Sequence, residues 1–153
     1  MKSYLIVLLM SVAVNRCADS TSEEPTAKMI IRSGTSYGFC SGYCEQLLSV
    51  EGNAVTFTKL NSRAPTLPPI TCRGVLTEAK WTDLRAQADL SQLQKQPKTL
   101  GCPDCADGGA EFLEIQQGGE QYRVTFEAGT TVPGFEALVT ALREKRKAFA
   151  DCQ

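Results

Sequence analysis

Histidine is absent from all 153 residues. Without an imidazole there is no Ser-His-Asp or Cys-His activation of a nucleophile, and no His-ligated zinc. Aromatic residues are sparse at 7%, with Trp81 the single tryptophan, so paired carboxylates would find no long sugar cleft with aromatic platforms. A surplus of positive charge is missing as well: 16 Lys and Arg stand against 17 Asp and Glu. Binding to a phosphate backbone needs a basic face, which excludes nucleic acid as a partner. The longest apolar run, residues 3–14, has twelve residues, short of the roughly 20 that span a bilayer.

That run is nevertheless informative. Preceded by Lys2, it has the length and flank of a signal-peptide core, so residues 1–16 are expected to form an export signal. Cys17 follows at the place where bacterial lipoprotein signals put the residue that is cleaved and lipidated. Arg16 stands where such signals normally place a small residue, and plain secretion with a nearby cut is the alternative. Lipid on Cys17 would tether the chain to a membrane surface without a spanning helix. Residues 17–26 are polar and acidic with one proline, the composition of a flexible tether. Residues 27–153 then make one domain, long enough to bury its own core.

Within the domain, residues 28–32, 45–50, 54–60, 70–76, 110–116 and 121–127 read as strands. Glu51-Gly52-Asn53 is a hairpin turn. In the last strand Tyr122, Val124 and Phe126 alternate with Arg123, Thr125 and Glu127, giving one buried and one wet face. Thr77 caps a helix with Trp81, Leu84 and Ala88 at helical spacing, ending before Pro97. Pro133 opens a terminal helix striped by Phe135, Leu138, Val139, Leu142 and Phe149. The basic group Arg143, Lys145, Arg146 and Lys147 reads as the solvated last turns of that helix, where cations complement the helix dipole. The expected fold is α+β: an antiparallel sheet of five to six strands with two helices on one face.

Two segments stand out. Residues 34–44 (GTSYGFCSGYC) space glycines between aromatics, and residues 101–111 (GCPDCADGGAE) pack a CxxC among carboxylates and glycines. Beyond Cys17, six cysteines remain: Cys40, Cys44, Cys72, Cys102, Cys105 and Cys152. An even number in an exported chain points to disulfides, although six cysteines allow 15 connectivities. The preferred grouping keeps Cys40, Cys44, Cys102 and Cys105 together, in local or crossed bonds, and leaves Cys72 with Cys152. The alternative is a zinc site on Cys40, Cys44, Cys102 and Cys105. Asp104 and Asp107 disfavour thiolates, which weakens both zinc and dithiol redox chemistry. Asp104, Asp107 and Glu111 do not follow the ligand spacing of an EF-hand calcium loop, so the two Asp residues are assigned to turns and caps.

The segments 34–44 and 101–111, with the Trp81 helix between them and a hairpin and helix after them, resemble an uncharacterised family of small exported proteins and lipoproteins, mostly from Bacteroidetes. Its motif positions correspond to Cys40, Gly42, Cys44, Cys102, Cys105, Asp107 and Gly108; Cys72 and Cys152 lie outside them. The resemblance implies an address and a fold, and the acidic residues 19–24 are similar to signals that send such lipoproteins to the cell surface. In element order alone the chain is also similar to emfourin-type metalloprotease inhibitors, which lack these cysteines.

Taken together, these features describe a non-catalytic binding domain on a bacterial outer membrane or cell surface, with a periplasmic or secreted form as the alternative. Tyr37, Phe39 and Tyr43, with Asp104 and Asp107, are the candidate contact residues; the aromatics could equally cap the sheet. The expected partners are the membrane, through the lipid, and an envelope or extracellular protein; no cofactor is called for. A protease inhibitor is the second reading and a thiol-disulfide or zinc-binding protein the third.

Overall fold

The computed structural model describes residues 28–64 and 66–153; the expected export signal, Cys17 and the tether lie outside them. Seven strands form one sheet in the order β4-β3-β2-β1-β6-β7-β5. They are β1 (Met29–Ser36), β2 (Glu45–Glu51), β3 (Ala54–Leu60), β4 (Ile70–Val75), β5 (Thr99–Leu100), β6 (Ala110–Gln117) and β7 (Glu120–Glu127). Three α-helical segments, α1 (Glu78–Gln87), the single turn α2 (Leu90–Leu93) and α3 (Glu136–Lys147), and one 3-10 turn, Cys105–Asp107, accompany them among the described residues. The class is α+β, as the pattern of runs implies, and six of the strands fall where alternation and turn residues place them.

The seventh strand makes the sheet mixed instead of antiparallel. β5 is two residues long and runs parallel to β7, Thr99 against Thr125 and Leu100 against Phe126. Two residues carry no period, so this pairing is invisible in sequence; it arises because the chain leaving α2 passes the free edge of β7. β1 also runs on through Ser33 and Gly34 to Ser36, where a strand end was expected. Gly34 suits a strand interior here because a Cβ would collide with the Gln46 carbonyl and the Phe112 ring.

Register assigns the two faces. Ile31 lies between Val50 and Ile115, Ser33 between Leu48 and Leu113, and Phe57 opposes Leu48. With Val55, Val124 and Phe126 these residues build the inner face of the core. The opposite face carries an ion ladder across three strands: Arg32 and Arg123 flank Glu114 at 2.6 and 2.8 Å, and Arg123 also lies 4.0 Å over the Phe112 ring.

The inner face is covered by helices. Leu138, Val139 and Leu142 of α3 are buried against it, each fully buried leucine contributing about 1.5–3 kcal/mol relative to an exposed one. α3 begins at Glu136, three residues after Pro133. Gly134 has φ +80°, outside the helical region, and Phe135 N–H donates to the Val132 carbonyl at 2.9 Å. This turn buries Val132 and Phe135 together. Before it, the Trp81 helix is split. Thr77 caps α1 as expected, its hydroxyl accepting from Lys80 N–H at 3.3 Å, but Ala88 leaves the helical region and Asp89 caps α2. An unbroken helix would set Leu90 and Leu93 about 120° and 180° away from Leu84 around its axis. The break lets all three join one core, with half-buried Trp81 packed against it.

Candidate functional site

At one end of the sheet the chain leaves β1 through residues 37–44, leaves β3 at residue 61 and enters β6 from residues 101–109, so three loops meet. Two of the three disulfides are here, both local: Cys40–Cys44 and Cys102–Cys105. The third joins Cys72 on β4 to Cys152, fastening the chain's last residues to the sheet edge across a separation of 80 residues. With all six sulfurs bonded pairwise, Cys40, Cys44, Cys102 and Cys105 present no thiolates to a zinc ion in this oxidised form.

Asp104 holds the two stapled loops to each other. Its carboxylate accepts from Gly38 N–H at 3.1 Å and from Gly109 N–H at 3.2 Å, while its own N–H donates to the Gly109 carbonyl at 3.0 Å. Asp104 sits in a turn, as expected, and in addition clamps together segments 66 residues apart. Asp104, Ala106 and Asp107 all take positive φ, at 61°, 51° and 58°. Three non-glycine residues in that region within four positions are a concentration of backbone strain, held by the adjoining disulfide and the clamp.

The candidate contact aromatics divide. Phe39 projects into solvent at 86% exposure and Tyr37 at 42%. The Tyr37 ring also lies against Gly109, leaving no room there for a Cβ. Tyr43 is half-buried, its hydroxyl donating to the Pro68 carbonyl at 2.9 Å, so it ties loop to loop. Arg63 donates to the Gly38 carbonyl and adds a third strap. Asp107 is exposed on the outer side of its loop.

Glu111 departs furthest from expectation. Grouped in sequence with Asp104 and Asp107, it instead faces the core, in phase with Leu113 and Ile115, and is 5% exposed. Arg143 Nε reaches its carboxylate at 3.0 Å, Arg146 at 2.9 Å and Gly129 N–H at 3.1 Å. Arg146 also donates to Ser33 Oγ. Burial by itself would raise the Glu111 pKa, but the Arg143 hydrogen bond, the Gly129 N–H and the charges of Arg146 and Arg143 outweigh it, and the carboxyl is held below its ordinary value. Burial draws Arg146 downward against the pull of Glu111; an arginine starts so high that it stays charged.

The expectation that the basic group of α3 is solvated is therefore corrected for two members: Arg146 is 6% exposed and Arg143 largely covered. A signal was present in the stripe. Arg146 falls four residues after Leu142 and three before Phe149, an inward position once those two are inward. Of the carboxylates whose pKa is displaced, Glu111 moves down for these reasons and Asp89 moves down through the Ser91 hydroxyl and the Gln92 N–H. A general acid needs the opposite displacement.

No protein-family model matches this chain, and no curated protein matches it in sequence.

Among the described residues no helix is long and apolar enough to cross a membrane. Three disulfides fit an oxidising compartment.

Proposed function

We propose that the chain is an exported, lipid-anchored bacterial envelope protein whose domain binds a protein partner through the stapled end of its sheet. One observation carries this reading: Phe39, 86% exposed, sits beside the Cys40–Cys44 bond on a loop clamped by Asp104 to a second stapled loop. An exposed aromatic on a pre-ordered loop is the usual anchor of an interface, since little conformational freedom is lost when the partner arrives. Cys17 supplies the anchor and residues 17–26 the reach.

The test compares the full-length protein with its Phe39→Ser variant in cross-linking on intact cells. The expected result is a discrete cross-linked partner that the variant loses while keeping its fold. Equal capture by both proteins overturns the reading. Labelling with radioactive palmitate, abolished by Cys17→Ser, tests the anchor separately.

The same loop favours protease inhibition as the second reading, because a rigid, exposed Phe39-Cys40 segment is what a protease cleft would receive. Inhibition of a secreted or envelope protease that disappears in Phe39→Ser would establish it; a panel with no inhibition removes it.

A further inference from the structure

The inner face of the sheet breaks its own pattern at one end. Two successive rows across β3, β2, β1 and β6 are core-like: Val55-Val50-Ile31-Ile115, then Phe57-Leu48-Ser33-Leu113. The next row, in the same inward phase, is Lys59-Gln46-Thr35-Glu111. Four polar side chains occupy positions where the binary pattern calls for apolar ones. Violations of this kind collect where function, not stability, selects the residue.

This row lines a cavity of about 470 Å³ whose wall is the end of α3 and the turn after it, with Arg143, Arg146, Lys147 and Phe149. The lining holds four cations and one carboxylate, Glu111, and Glu144 just outside it pairs with Lys147 at 2.8 Å. Lys59 is held in place by the Ala150 and Cys152 carbonyls at 3.1 and 2.8 Å. The Thr35 hydroxyl is buried without a hydrogen-bond partner among the described residues, a cost that the fold by itself does not explain. One side is aromatic: Phe57 and Phe149 stack at 5.3 Å between centroids, and Tyr37 stands at the edge.

We infer that this cavity binds a small organic anion, a carboxylate joined to an apolar or aromatic body. The Lys59, Arg143, Arg146 and Lys147 side receives the carboxylate, and the partly exposed Phe149 ring, backed by the buried Phe57, receives the body. Guanidinium groups match the planar geometry of a carboxylate, the four cations outnumber the two carboxylates paired with them, Glu111 with Arg143 and Arg146 and Glu144 with Lys147, and the volume lies in the range of small-molecule sites. The site goes beyond the protein-binding role proposed for the stapled end and does not depend on it, since Phe39 lies outside the cavity.

The test is titration of the disulfide-intact domain with 3-phenylpropionate, followed by calorimetry and by backbone amide shifts. The expected result is saturable binding with shifts at Gln46, Lys59 and the end of α3. The uncharged 3-phenylpropionamide and the bodiless acetate should each bind at least tenfold more weakly. Lys147→Glu, at an exposed position that leaves the fold intact, should weaken 3-phenylpropionate binding at least fivefold. Thr35→Val should weaken it while leaving the melting temperature equal or higher. No saturable binding at millimolar concentration, an equal affinity for the amide, tighter binding of inorganic phosphate, or an unchanged affinity in Lys147→Glu overturns the assignment.

Discussion

Replacing Glu111 by Gln removes the carboxylate shared by Arg143 and Arg146 and leaves two guanidinium groups against the sheet without a counter-charge among the described residues. Glu111 is 5% exposed and Arg146 6%, so water cannot take over the lost interaction. Breaking a buried ion pair by deleting one partner costs about 3–5 kcal/mol, most of it the uncompensated charge left behind. The Gln side chain keeps an acceptor for Gly129 N–H, which limits the damage to the charge itself. A loss of that size is a large fraction of the roughly 5–15 kcal/mol that holds a typical domain. Urea unfolding followed by the fluorescence of Trp81 at neutral pH measures it. The pH dependence supplies a second and sharper signature. The folded-state pKa of Glu111 lies below its ordinary value of 4.5, so its stabilisation is fully present above about pH 4.5 and is lost as pH falls through the depressed folded value. Wild-type stability should fall with acidification across that window, and Glu111→Gln should show a correspondingly flatter profile. A loss below about 1 kcal/mol at neutral pH, or an unchanged acid profile, would refute the claim that this node ties α3 to the sheet.

The disulfides should differ sharply in weight. Closing a loop of 80 residues, as Cys72–Cys152 does, restricts the unfolded chain by about 4–5 kcal/mol, against about 2 for Cys40–Cys44; paired Cys→Ser variants in urea should preserve that order. Asp104→Ala removes two N–H acceptor contacts and places alanine at a positive φ, so the Gly38 and Gly109 amides should lose protection in hydrogen exchange, with a stability loss of about 2–3 kcal/mol. Phe39→Ser should change stability by less than about 0.5 kcal/mol, and a larger drop would make Phe39 a packing residue instead of a contact.

The elements legible from sequence were those whose signal is periodic and local. The β7 alternation of Tyr122, Val124 and Phe126, the hairpin at Gly52 and the cap at Thr77 all lie where their residues imply, because each depends on neighbours within a few positions. β5, the split after Ala88 and the late start of α3 follow from other causes: a strand edge that happens to be free, two leucines that must reach a shared core, and a turn that buries Val132 and Phe135.

The candidate site divides along the same line. The loops 34–44 and 101–111 were visible as dense turn chemistry with cysteines, and an even count of six made disulfides the first reading of them. Which cysteines meet, and that Asp104 clamps one loop to the other, required a fold that brings together residues far apart in sequence. Glu111 is the clearest case. Its neighbours in sequence are the carboxylates of a solvent-facing loop, and its neighbours in space are two arginines of the terminal helix. Sequence by itself determined the class of fold, the covalent chemistry available and the catalytic designs that a chain without histidine cannot use, since these depend on residue type and short-range period. Only the tertiary structure decided where charge is buried and where a cavity opens, because both depend on the register between strands and on the helix packed across them.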